Sequence, residues 1–150
     1  MRILVQVVSQ ASVTIEGEVV ASIGHGFLLF VGFGKGDDAA IAKKMAEKVC
    51  KLRILPDENG KTNKSLADVG GNVLSVSQFT LYASAKEGNR PAFQNCMDKD
   101  EAKGLYETFF QYLKELMPNA QSGVFHADMK VSLVNEGPFT LWLDSKELFV

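Results

Sequence analysis

Residues Ser75-Val76-Ser77-Gln78-Phe79-Thr80-Leu81-Tyr82-Ala83 place the polar side chains Ser77, Gln78 and Thr80 where a packed strand would use Val or Ile. Polar groups on a half-buried strand are costly unless hydrogen-bonded or used in chemistry. Thr80 is the tempting nucleophile, yet a threonine hydroxyl needs an adjacent base and the sequence places none near it. The alternative is electrostatic. Backbone N–H groups of Phe79 and Thr80 would face a developing oxyanion while the side chains position the substrate, and this donor role is the favoured one. A second unusual segment lies far downstream, Asn135-Glu136-Gly137-Pro138-Phe139-Thr140, with a Gly-Pro step between two strand-like runs. On the residues alone, Gly137-Pro138 reads as a kink at the start of an edge strand. A cis peptide there would turn successive carbonyls to one side, with no glycine side chain to keep a ligand away.

Other candidates are weaker. Gly32, Gly34 and Gly36 suggest a phosphate loop, with Lys35 as a contact, but their spacing is neither a Walker loop nor a dinucleotide fingerprint, and a plain turn is preferred. His25 and His126 share no motif with a cysteine or with each other, so no metal cage is expected. His25 reads as a surface-loop residue and His126, beside Asp128, as a strand-end histidine. Lys44, Lys48 and Lys51 form a stripe that reads as solvated surface. With Lys86 and Arg90 they are the cations available should RNA bind.

These segments must be held by one domain spanning 1–150. The chain is 46% hydrophobic and 23% charged with a formal charge of −2, which excludes a disordered chain and a global basic field. Two cysteines, Cys50 and Cys96, suit a reducing compartment. The first residues read as a strand, not a signal peptide, and no apolar run approaches a membrane span, so a cytoplasmic domain is expected. Strands are expected over Arg2–Val8, in a hairpin of Ser12–Ile15 with Val19–Ile23, and as a doubly covered strand over Gly26–Gly32. A helix capped at Asp37 or Asp38 runs to about Lys51, with Ile41, Met45, Val49 and Leu52 inward. A turn follows around residues 56–60, and a strand from Val73 to Tyr82. A second helix, from about Asp100 to Met117, carries Leu105, Phe109, Tyr112 or Leu113, and Leu116 inward and stops at Pro118. Strands from about Met129 to Val134 and from Phe139 to Leu143 complete an α+β domain with mixed and antiparallel sheet.

Taken in order, Ser9-Gln10-Ala11-Ser12-Val13, Leu52-Arg53-Ile54, Asp68-Val69-Gly70-Gly71, Ser77 to Ala83, Arg90-Pro91-Ala92-Phe93, Ala127 to Val131 and Asn135 to Thr140 resemble the D-aminoacyl-tRNA deacylase family over essentially the whole chain. The resemblance implies a homodimer, layered α/β/β with its two main helices on one side, whose active sites lie at the subunit interface. It implies hydrolysis of the ester joining a D-amino acid, or mischarged glycine, to the 3′ end of tRNA, with no cofactor, metal or membrane. Ser77, Gln78, Phe79 and Thr80 would line the catalytic site. Gly137, Pro138, Met129 and Phe139 would serve substrate binding and chiral selection, with Gly137-Pro138 a cis step inserted into the partner's site, the reverse of the kink preferred on residues alone. The neighbouring ribose hydroxyl would orient water or assist its attack, so that the protein need only hold the ester and stabilise developing charge. Val7 stands where the family often has Arg, and His126 where it usually has Gly. From a different class, the alternative is a nucleic-acid-binding module without catalysis.

Overall fold

In the computed structural model, which describes residues 1–149, the amino-terminal region is a single strand, β1 (Arg2–Ile15), rather than two runs. It turns at Glu16 and Gly17, both at positive φ, and returns as β2 (Glu18–Ile23). Strand β3 (Gly26–Gly32) is buried at every position except half-buried Phe30, as its unbroken apolar run requires. It pairs antiparallel with β1 and parallel with β6 (Asn72–Ser77). Beyond β6 lies the short parallel β7 (Gln121–Ser122), and on the far side of β1 lies β8 (Lys130–Asp144), antiparallel to it. The two expected C-terminal strands are thus one interrupted element. A separate two-stranded ribbon, β4 (Leu55–Pro56) with β5 (Thr62–Lys64), encloses the expected turn, where the Asp57 side chain accepts from the Asn59 and Lys61 N–H groups.

The helices are α1 (Ala39–Lys51), α2 (Leu66–Val69), α3 (Lys99–Leu116) and α4 (Ser145–Leu148), so the described residues form a single domain with a mixed sheet and four helices. Asp38 caps α1 by accepting the Ile41 N–H at 2.9 Å. Met45 and Val49 are buried as expected, but Ala42 and Ala46 complete the inner face while Ile41 and Leu52 are only half-buried. Helix α3 is rotated more clearly from its expected face. Ala102, Tyr106, Phe109 and Leu113 are buried, whereas Leu105 is half-buried and Leu116 is exposed. Tyr106 can turn inward because its hydroxyl finds partners there.

Alternation along β1 builds two apolar clusters. Ile3, Val5 and Val7 join Phe27, Leu29 and Val31 of β3 against α1 and α3. The opposite face gathers Val8, Ala11, Val13, Leu28, Leu74 and Val76, on which Phe30, Met129, Val131 and Leu133 pack while staying only half-buried.

Candidate active site

The chemistry-bearing segment leaves the sheet where its partner strand ends. Ser77, opposite Val31, is the last paired residue of β6; the Gln78 N–H still donates to the Val31 carbonyl at 2.7 Å, and Phe79–Tyr82 then coil into one 3₁₀ turn. The expected strand through Tyr82 therefore stops at Ser77. Two glycines, Gly32 at the end of β3 and Gly34 just beyond it, let the turn fold back so closely. A Cβ on Gly32 would lie 2.7 Å from the Gln78 carbonyl oxygen, and one on Gly34 would lie 2.4 Å from Cε1 of Tyr82. Two of the three glycines that hinted at a phosphate loop, Gly32 and Gly34, are seats for the turn, and Gly36 faces open space.

Side chains then fix it. Gln78 Nε2 donates to Thr80 Oγ1 at 2.5 Å, so the threonine hydroxyl's partner is an amide rather than a base. The buried Tyr82 ring lies under the Arg2 guanidinium at 4.4 Å, while Arg2 donates to the Leu81 carbonyl at 2.9 Å and to the Asp144 carboxylate at 3.0 Å. Burial acts to raise the Asp144 carboxyl, but the Lys146 N–H and the Arg2 guanidinium outweigh it and hold it below its ordinary value. Burial also pushes the Tyr82 phenol up. The Phe79 and Thr80 N–H groups, first in the turn, have no hydrogen-bond partner among the described residues, and both residues are exposed.

The turn opens onto a cavity of about 340 Å³ lined by Ser77, Gln78 and Phe79 on one side and by Phe125, His126 and Met129 on the other. Segment 123–129 sits tightly here, since a Cβ on Gly123 would meet Met129 Sδ at 2.5 Å. His126 is not a strand-end residue. It occupies a turn with φ of 67°, exposed, its ring stacked 6.5 Å from that of Phe125. Among the described residues no three His, Cys, Asp or Glu side chains converge as a metal site, and no helix is long and apolar enough to cross a membrane.

Sequence reasoning missed the support beneath this cavity. The Tyr106 hydroxyl lies 3.0 Å from Ser75 Oγ, 3.1 Å from the Ser75 carbonyl oxygen and 2.7 Å from Ser122 Oγ, and the Gly123 N–H donates to that same carbonyl at 2.9 Å. The available signal was Ser75, a hydroxyl between apolar Leu74 and Val76 in the middle of β6.

The Gly137-Pro138 peptide is cis, as the resemblance implies. Pairing along β1 and β8 jumps from Gln6–Thr140 to Val8–Asn135, so residues 136–139 bulge out opposite Val7. Asn135 Nδ2 closes the neck of the bulge by donating to the Val7 and Phe139 carbonyls, each at 3.0 Å. The carbonyl at position 7 thus does the anchoring, and the buried Val7 side chain serves the core. Gly137 has φ of 124° and exposed Pro138 follows it. Gly137 and Phe139 line another cavity, of about 570 Å³, which shares no residue with the first. Within one chain, then, Met129 joins Ser77, Gln78 and Phe79, whereas Gly137 and Phe139 do not.

A mixed-sheet α+β domain with exposed backbone donors on a turn and a cis Gly-Pro bulge defines a narrow class. Residues 4–144 match the family described as D-Tyr-tRNA(Tyr) deacylase, and the chain belongs to that family. It is 54% identical over 148 residues to a D-aminoacyl-tRNA deacylase of Thermomicrobium roseum, covering 99% of this chain and 96% of the relative. It is 52% identical over 144 residues to one of Lactobacillus acidophilus, with coverages of 96% and 99%. Among solved structures, it is similar to a c-Myc DNA unwinding element binding protein, with a TM-score of 0.91, 36% identity and coverages of 96% and 98%. A probable eukaryotic D-amino acid tRNA deacylase shares the fold, with a TM-score of 0.83, 17% identity and coverages of 95% and 97%.

Proposed function

We propose that this protein is a tRNA-editing hydrolase that cleaves the ester linking a D-amino acid, or mischarged glycine, to the 3′ end of tRNA in the cytoplasm. The observation that carries the catalytic assignment is the pair of N–H groups, unpartnered among the described residues, of Phe79, which lines the Ser77–Gln78–Phe79 cavity, and of Thr80, next in the turn. Donors placed where an oxyanion develops typically contribute 10²–10³ in rate. Thr80, bonded to an amide, acts by position rather than as a nucleophile, and the ribose hydroxyl beside the ester orients water.

Chiral selection follows from exclusion. The cis Gly137-Pro138 bulge of one subunit enters the Ser77–Phe79 cavity of its partner, where two carbonyls crowd the α-carbon, Met129 and Phe139 close the sides, and an L side chain finds no room. Separation of the two segments within one chain supports a two-subunit site. So does the sheet face carrying half-buried Met129, Val131 and Leu133, apolar area that a second subunit would cover. A D side chain points outward unread, and glycine has nothing to clash.

The test is release of tyrosine from D-Tyr-tRNA by purified protein with L-Tyr-tRNA left intact; equal cleavage of both enantiomers rejects the gate. Similarity to a DNA unwinding element binding protein favours a second reading, duplex binding without catalysis. A net charge of −2 speaks against strong non-specific binding, and tight salt-sensitive duplex shifts with no deacylation would establish it instead.

A further inference from the structure

A chain with a net charge of −2 that acts on a polyanion needs local cations at its site. The loop following the 3₁₀ turn supplies them. Its two sides are clasped by reciprocal backbone hydrogen bonds of 2.8 Å between Ser84 and Ala92, and its end is tied to the turn after β3 by the Lys35 N–H donating to the Asn95 carbonyl at 3.4 Å. Between these ties lies a polar cavity of about 250 Å³, lined by Ser84, Lys86, Glu87, Arg90, Gln94 and Asn95. Among the described residues Lys86 and Arg90 form no ion pair and their side chains donate no hydrogen bond, although both are exposed. Glu87 is the one carboxylate in the lining, and Lys35, also exposed, adds a third cation beside Asn95.

The cavity adjoins the catalytic turn through Phe93. Its ring lies 5.5 Å from that of Phe79, and its chain neighbours Ala92 and Gln94 both line the polar cavity. A single strand whose terminal ester occupies the Phe79 cavity therefore meets, one aromatic pair away, two cations outside any ion pair among the described residues, with hydroxyl and amide donors beside them. Such a set suits phosphodiester oxygens, which are bound by Lys and Arg and by neutral donors without regard to base.

We infer that the Lys86–Arg90 loop binds internucleotide phosphates of the single-stranded 3′ end of the tRNA, gripping the nucleic acid separately from the aminoacyl ester. This rests on the deacylase reading above and adds a second, purely electrostatic subsite to it.

The experiment compares wild type, Lys86→Ala/Arg90→Ala and a control on the exposed face of α3, Lys103→Ala/Lys114→Ala, on two substrates. One is D-Tyr-tRNA; the other is 3′-O-D-tyrosyl-adenosine, which has no internucleotide phosphate. The loop variant is expected to lose about tenfold or more in kcat/KM on the tRNA, chiefly through KM, with the adenosine ester cleaved within about twofold of wild type. Its log–log salt dependence on tRNA should flatten by about 1.4, two single-strand phosphate contacts. The control should change neither. Equal losses on both substrates, an unchanged salt slope, or an equal loss in the control each overturn the inference. Affinity for uncharged tRNA, read by fluorescence anisotropy, tests the grip without the chemistry. A drop confined to the loop variant supports it and no drop refutes it, even if wild type releases no D-tyrosine, a result that would sink only the deacylase reading.

Discussion

Replacing Gly34 with Ala tests whether the Phe79–Tyr82 turn is seated as described. The added Cβ would lie 2.4, 2.7 and 2.8 Å from three atoms of the Tyr82 ring, where ordinary contact begins at 3.4 Å. The ring must therefore retreat by about 1 Å, the difference between 3.4 and 2.4. It cannot swing freely, being buried with the Arg2 guanidinium 4.4 Å over its face. Overpacking of this kind costs roughly 1–3 kcal/mol. Tyr82 ends the turn that carries the Phe79 and Thr80 donors, and a displacement of about 1 Å at a catalytic group costs on the order of 10²-fold in rate. Single-turnover deacylation of D-Tyr-tRNA and urea melts with an unchanged m-value measure the two effects. In a Tyr82→Leu background, which removes the ring, the same substitution should cost at least about 0.5 kcal/mol less. A Gly34→Ala protein with rates within about threefold of wild type and stability within about 0.5 kcal/mol would refute the close-seating account.

Other perturbations follow from the same geometry. Thr80→Ala should keep most of the activity, losing about twofold or less, because the backbone donors stay in place; loss of all turnover together with a trapped acyl-enzyme in wild type would instead make Thr80 a nucleophile. Gly137→Ala, at φ of 124°, puts a side chain into a conformation L-residues avoid and should cost about 1–3 kcal/mol of local strain, read as lost D-specific cleavage in a protein that still melts cooperatively. Tyr106→Phe removes a hydroxyl shared with Ser75 and Ser122 and should destabilise by about 1–2 kcal/mol, measured by chemical denaturation. Asp144 has a carboxyl held below its ordinary value, so its stabilisation is present above the unfolded value of about 3.9 and is lost as pH falls through the lower folded value. Stability of Asp144→Asn should accordingly be less sensitive to acid below about pH 4 than that of wild type.

Much of the fold was legible because it rests on local pattern. The unbroken apolar run of β3, the Asp38 cap of α1 and the Asp57 turn each declare themselves within a few residues. What escaped depends on partners distant in sequence. The strand after Val73 stops at Ser77 because β3 runs out of pairing residues there, a limit set from residues 26–32 and invisible in the polar segment itself. Helix α3 turns Tyr106 rather than Leu105 inward because Ser75 and Ser122 wait for its hydroxyl, and hydropathy alone ranks those two residues the other way. At the site, residue type pointed to the Phe79 and Thr80 donors and the Gly-Pro step. The split of Gly137 from Ser77 into different cavities comes from the β8 bulge, whose three-residue slip against β1 no spacing rule reports.

The tie from Arg2 to both Leu81 and Asp144 has a consequence for biosynthesis. Arg2 and Asp144 face each other across the β1–β8 ladder, separated by 142 residues of chain. On the ribosome, residues 79–82 emerge well before the strand that completes their clamp, and pairing of such distant segments forms late. A nascent polypeptide lacking β8 would carry the whole Ser77–Thr80 sequence yet have no settled place for it, so editing competence should arise only when the final strand docks beside the first.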